Sequence, residues 1–122
     1  MTRFDRIEDA IKDIRRGRMI VVIDDPEREN EGDLVIAAEK CTEQAVNFMA
    51  LHGRGLICVP MTGERLDALD IRPMVEPGRS ALPSPGRDTA FSVSVDAKRG
   101  TTTGISAKDR ARTIGALLDP RT

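Results

Sequence analysis

A chain of 122 residues is one domain by length, and 39% hydrophobic against 32% charged residues is the balance of an ordinary soluble globular protein. Three Phe with no Trp or Tyr rest the core on aliphatic side chains and count against base-stacking recognition of single-stranded nucleic acid. The formal net charge of −1 conceals an asymmetry: residues 24–33 hold six acids and one Arg, −5 together, which leaves +4 on the remainder. That suits a metal held beside an anionic substrate, although scattered surface charge gives the same totals.

No apolar run approaches the ~20 residues of a membrane span. The N-terminus, MTRFDRIEDAIKDIRRG, mixes acids and bases and lacks the apolar stretch of a signal peptide. Cys41 and Cys58 are too few for a disulfide framework and lack metal-ligand spacing, so the expectation is a cytoplasmic chain with free thiols and neither a membrane nor a nucleic-acid partner.

In chain order, Phe4, Ile7, Ile11 and Ile14 recur at helical spacing, which predicts an amphipathic helix over 4–16 stopped by Gly17. MIVVI (19–23) is short, apolar and β-branched, a predicted buried strand, and LVIAAE (34–39) reads as a second. Thr42 is placed to cap a helix over 43–51 that the glycines of HGRG (52–55) end. LICVPM (56–61) reads as a third strand, and Thr62 can cap a short helix near 63–69. Residues 70–89, rich in Pro and Gly, form a long loop of the kind used as a lid or binding loop. AFSVSVDA (90–97) alternates, with Phe91, Val93 and Val95 on one face of a half-buried strand. In the last helix Ser106 is the predicted cap and Asp109 its capping-box partner, with Ala107, Ala111, Ile114 and Leu118 on one face. The pattern predicts a single α+β (mixed α/β) domain over 1–122, a mixed sheet flanked by helices.

The densest chemistry lies in IDDPERENEGD (23–33), between the first two predicted strands. A Ca²⁺ loop of the EF-hand type fails here: with Gly32 at its sixth position the twelfth becomes Ala38, and the flanks are strands. A Mg²⁺ or Mn²⁺ site of one or two carboxylates plus waters stays open beside a merely solvated acidic loop. If the backbone stays extended, Glu29, Glu31 and Asp33 point to one face, with Arg28 and Asn30 on the other. His52, the only histidine, reads as a helix-end packing or capping residue rather than a base. Cys58 reads as a small strand hydrophobe. TTTG (101–104) before a capped helix offers hydroxyls and N–H groups to a phosphate or a sugar hydroxyl, or is ordinary turn chemistry. Arg87 and Asp88 read as exposed loop charges.

Taken together, VVIDDPERENEGDLVIAAE, HGRGLICVPM and TAFSVSVDAKRGTTTGISAKDRARTI resemble the 3,4-dihydroxy-2-butanone 4-phosphate synthases of riboflavin biosynthesis, over nearly the whole chain to about Leu118. The resemblance implies a lyase that converts D-ribulose 5-phosphate into a four-carbon ketone phosphate and formate. It implies Mg²⁺ or Mn²⁺ with Glu29 as the metal-binding carboxylate, and Arg28 with Glu29 on the sugar phosphate. Asp33 becomes a substrate contact and proton-transfer group, and Glu31 an assistant at the metal or in acid–base work. Thr103 contacts substrate, Cys58 lies near the pocket, and the loop 70–89 is the lid. The family is homodimeric, with active sites at the subunit interface.

One departure stands against these matches. The family's domain continues into an R-x-G-H-T-E-type segment with a metal-ligating His, whereas this sequence ends at LLDPRT and His52 falls at the HGxG position. The expectation is therefore the N-terminal part of the domain, C-terminally incomplete and with little or no synthase activity alone. The alternative is a non-catalytic relative acting as a dimerising or sugar-phosphate-binding module. Arg87 and Asp88 also stand just ahead of Thr89, where many relatives have glycine.

Overall fold

The computed structural model describes residues 4–27, 29–75 and 89–122. Arg28 and 76–88, which hold most of the predicted lid with Arg87 and Asp88, lie outside the described residues. The chain divides into two compact units, one of Met1–Val59 with Ala97–Thr122 and the other of Pro60–Asp96.

In the first unit, α1 spans Ile7–Arg15. Glu8 and Asp9 lie in its first turn and Lys12 and Arg15 in its last, each sign at the end of the helix dipole that favours it. Gly17 ends the helix at φ 75°, as expected: its N–H donates to Ile14 O and that of Arg18 to Asp13 O, the paired bonds of a Schellman stop. The chain then enters β1 (Ile20–Ile23), which pairs antiparallel with β2 (Gly32–Val35) in the register Ile20–Val35, Val21–Leu34, Val22–Asp33 and Ile23–Gly32. A 3-10 turn over Ala38–Lys40 follows β2, where the sequence pattern had extended the strand.

Thr42 Oγ1 accepts from Ala45 N at 3.2 Å and caps α2 (Glu43–Phe48), which runs on as one π-helical turn over Met49–Gly53. The residue that ends it is Arg54, left-handed at φ 58°, and not a glycine of HGRG. In the last helix of the chain, residues Ala107–Leu118, Ser106 Oγ caps as expected by accepting from Asp109 N at 3.0 Å. That helix packs against α2. The core sits in this seam, where Val46 is 1% and Ile114 7% exposed.

In the second unit, Thr62 Oγ1 accepts from Arg65 N and caps α3 (Gly63–Ala68); the final helix is accordingly α4. One antiparallel bridge joins Pro73 to Ser92, flanked by bonds from Met74 N to Phe91 O (2.8 Å) and Val93 N to Arg72 O (2.9 Å).

The chain combines helices with a small sheet, as expected of an α+β domain, but three sequence expectations do not hold. The described sheet has two strands in one antiparallel pair instead of a mixed sheet, and neither 56–61 nor 90–97 forms a strand. Leu56 is 77% exposed, and Phe91, Val93 and Val95 are exposed instead of sharing a buried face. Residues 20–23 do form β1, yet Val21, Val22 and Ile23 are exposed. The reason is common to all three: a strand exists only where a second backbone completes its ladder, and a face is buried only where another layer covers it. Local sequence carries the propensity for both but supplies neither neighbour.

Candidate active site

The loop between β1 and β2 is closed by its own first carboxylate. Asp24 N donates to Glu31 O at 3.2 Å, continuing the ladder past the Ile23–Gly32 pair. In return Asp24 Oδ1 accepts from Glu31 N at 2.8 Å, and Oδ2 accepts from Glu29 N at 3.3 Å. Asp25 Oδ1 takes the Glu27 amide at 2.8 Å, a local aspartate turn. Two of the six acids are thus committed to shaping backbone, which explains how a chain tolerates so many like charges: some of them substitute for missing main-chain acceptors.

Between Glu29 and Glu31, Asn30 is left-handed at φ 52°, a conformation its short polar side chain tolerates. The extended backbone that would have aligned Glu29, Glu31 and Asp33 is therefore broken at residue 30. Glu31 and Asp33 flank Gly32 along the ladder and keep the two-residue alternation, whereas Glu29 leaves the loop on the far side of Asn30. All three carboxylates are exposed, and Asp33 is fixed by β2 opposite Val22.

The second cluster is the turn Thr101–Gly104 in front of α4. The Asp109 carboxylate, 3% exposed, accepts three hydrogen bonds through Oδ2, from Thr102 N (3.1 Å), Thr102 Oγ1 (2.8 Å) and Gly104 N (3.1 Å). The Thr102 hydroxyl and then its amide hold the Asp109 carboxyl below the ordinary aspartate range, against the opposing effect of burial. Asp109 is thus only half of the expected capping box. Its amide meets Ser106, but its side chain reaches past the cap to the threonine turn. With the Thr102 and Gly104 amides occupied by an anionic side chain, this turn does not cradle a phosphate; what it presents is Thr103, exposed between them.

The same face of α4 secures the approach to the turn. Thr113 Oγ1 accepts from Ala97 N at 3.1 Å and donates to Asp109 O at 3.0 Å. Thr101 Oγ1 donates to Ala97 O, and Arg112 Nε donates to Arg99 O at 2.6 Å. Gly100 makes this possible: its φ is 75°, and a Cβ there would stand 2.2 Å from Arg112 Nε.

Cys58 is exposed, with Sγ 3.7 Å from Leu56 O, and Cys41 is half-buried with its thiol pushed up by desolvation. His52 lies against Phe48, ring centroids 4.5 Å apart, in keeping with a packing role. Arg28 is outside the described residues. Two shallow depressions, about 250 Å³ beside Asp67, Asp70 and Arg72 and about 240 Å³ beside Glu43, Asn47 and Lys108, are lined by none of the predicted site residues.

Among the described residues no three His, Cys, Asp or Glu side chains converge on a common metal position. The oxygen donors of Glu29 and Glu31 nevertheless suit a hard cation that keeps most of its waters and takes one or two protein carboxylates. Asp24 and Asp109 are the residues that sequence reasoning missed. A capping pattern marked Asp109, but nothing local signalled where its carboxylate goes.

The α+β scaffold thus presents a braced carboxylate loop and a pinned threonine turn. The chain belongs to the 3,4-dihydroxy-2-butanone 4-phosphate synthase family, whose model matches residues 8–122. It is 56% identical over 113 residues to the synthase of that name from Agrobacterium fabrum, covering 93% of this chain and 51% of that protein. It is 54% identical over 120 residues to riboflavin biosynthesis protein RibBA of Aquifex aeolicus, covering 97% and 28%. A crystal structure of a 3,4-dihydroxy-2-butanone 4-phosphate synthase in complex with two magnesium ions matches at TM-score 0.85 and 51% identity, over 96% of this chain and 52% of that one. A cation-free crystal structure matches at 0.82 and 48%, over 97% and 51%. The chain therefore spans about half of these solved structures and of the Agrobacterium fabrum synthase, and 28% of the Aquifex aeolicus protein.

Proposed function

We propose that this chain contributes the carboxylate loop and threonine turn of a lyase site that converts D-ribulose 5-phosphate into 3,4-dihydroxy-2-butanone 4-phosphate and formate. The observation that carries the reading is the Asp24 brace, which holds Glu29 and Glu31 on one loop and continues into the strand that carries Asp33. The reaction enolises a sugar phosphate, shifts carbon and expels formate, so it needs groups that accept and return protons. Asp33, on a strand and open to solvent, is the proton-transfer group and a substrate contact; Glu31, on the same face, assists. Glu29 is the protein ligand of a divalent cation, Mg²⁺ or Mn²⁺, which when bound polarises the ketone and adjacent hydroxyls. Arg28 and Glu29 meet the sugar phosphate, Thr103 meets a substrate hydroxyl, and Cys58 lies beside the pocket. Two copies of the protein form the active sites between them, and the reaction takes place in the cytoplasm.

The test is Glu29→Gln in the form of the protein that releases formate from ribulose 5-phosphate. Turnover is expected to fall by a factor on the order of 10²–10³ with an unchanged melting temperature. Full activity in that variant would remove Glu29 from the metal. The 122 residues alone are expected to release little or no formate, since the solved relatives use about twice this length.

A further inference from the structure

We infer that Asp109 is a positioning residue for Thr103: its buried carboxylate fixes the turn on both sides of that threonine and so sets the direction in which Thr103 offers its hydroxyl. This rests on the reading of Thr103 as a substrate contact.

Thr102 and Gly104 are the immediate neighbours of Thr103, and both give their amide hydrogens to one oxygen of Asp109, at 3.1 Å each. A third bond, from the Thr102 hydroxyl at 2.8 Å, fixes that side chain toward the helix as well. Peptide units on either side of the 102–103 unit, both anchored on one atom, restrict the backbone of the residue they bracket, and Thr103 stands exposed at that point. The anchor does not move either. Asp109 is 3% exposed, its own amide is held by Ser106 Oγ, and its carbonyl accepts from Thr113 Oγ1 at 3.0 Å. Thr113 and Arg112, on the next turn of α4, take Ala97 N and give to Arg99 O, so both ends of the segment 97–104 are tied to one rigid helix. A hydroxyl carried on backbone held this way has less freedom to lose on binding, which is what makes a positioned group effective at a site.

The charge of Asp109 also shapes what the turn can accept. A buried carboxylate beside Thr103 repels a second anion, so the turn selects a neutral hydroxyl of the sugar over its phosphate.

The experiment follows the backbone amides, Thr103 among them, by NMR in the uniformly nitrogen-labelled chain as D-ribulose 5-phosphate is added with Mg²⁺. It compares the native sequence with Asp109→Asn and with Thr102→Val, which deletes one donor and leaves the helix cap and Thr103 intact. Both variants are expected to weaken the dissociation constant read at Thr103 about tenfold, and to speed exchange of the Gly104 amide, while Val46 and Ile114 in the core keep their signals. If the melting temperature falls but the dissociation constant stays the same in both variants, Asp109 is merely structural and the inference is wrong. If Asp109→Asn does not fold, Thr102→Val alone decides. If Thr103 is silent in the unsubstituted chain, the reading of Thr103 as a contact fails first, and the positioning role falls with it.

Discussion

The acidic corner and the threonine turn use the same device at different depths. In each, one aspartate accepts two backbone N–H groups at or beside candidate ligand-contacting positions: Asp24 from Glu29 and Glu31 themselves, Asp109 from Thr102 and Gly104 on either side of Thr103. Asp109 is nearly inaccessible, whereas Asp24 is only half-buried and its loop is exposed from Asp25 through Asp33 among the described residues. A carboxylate brace in water is weakened by competition and by salt, and the loop it shapes can readjust around a cation. A buried brace has no such freedom. The chain thus pairs an adaptable anionic loop with a rigid turn that presents a hydroxyl, a division suited to a metal that brings waters and a sugar that must lie in one orientation.

The comparison can be broken at either end. The largest expected effect is on the chemistry of the acidic corner: Asp33→Asn should lower kcat by about 10² in the form of the protein that turns over, with metal affinity nearly unchanged. Equal losses in a metal titration and in turnover would make Asp33 a metal ligand instead. At the turn, Gly100→Ala puts a Cβ where φ is 75° and Arg112 Nε is 2.2 Å away, and should cost about 1–3 kcal/mol by denaturant unfolding. A substitution such as Glu27→Ala in the exposed loop should stay within about 0.5 kcal/mol by the same measurement.

Acid offers a finer contrast. Because folding lowers the Asp109 pKa, the stability it contributes is complete above the ordinary aspartate range and is lost only as pH falls through the depressed folded value. Protection of the Thr102 and Gly104 amides should therefore persist through the range where ordinary aspartates titrate and fail below it; loss at higher pH would mean that the carboxylate is not held as described. At α2, outside both regions, Thr42→Ala removes one cap bond and should cost about 1 kcal/mol by thermal unfolding without altering either region.

How much of this was legible in the sequence follows from the range over which each feature is decided. Caps and stops are local, so Thr42, Thr62, Ser106 and Gly17 could be read directly from residue type and spacing. The loop of acids and the TTTG turn were legible as motifs for the same reason. What the acids do was not. The one-face arrangement assumed an extended backbone, and the conformation of Asn30 is set by Asp24 reaching five and seven residues ahead. The strands at 56–61 and 90–97 failed because alternation records a preference for a partner that only tertiary structure supplies. Asp109 shows the limit most clearly. A four-residue pattern identified the cap, yet the carboxylate answers to residues five and seven positions upstream, on a turn whose path depends on Arg112 and Thr113.

The two sulfurs have a practical consequence. Thiolate is the species that alkylating reagents attack, and half-burial keeps the Cys41 thiol protonated to higher pH while Cys58 stands in the open. At neutral pH a maleimide dye should mark Cys58 first, giving a single fluorescent reporter on the segment 56–61 without any residue being replaced. Since these are the only two cysteines, the chain arrives already equipped for single-site labelling.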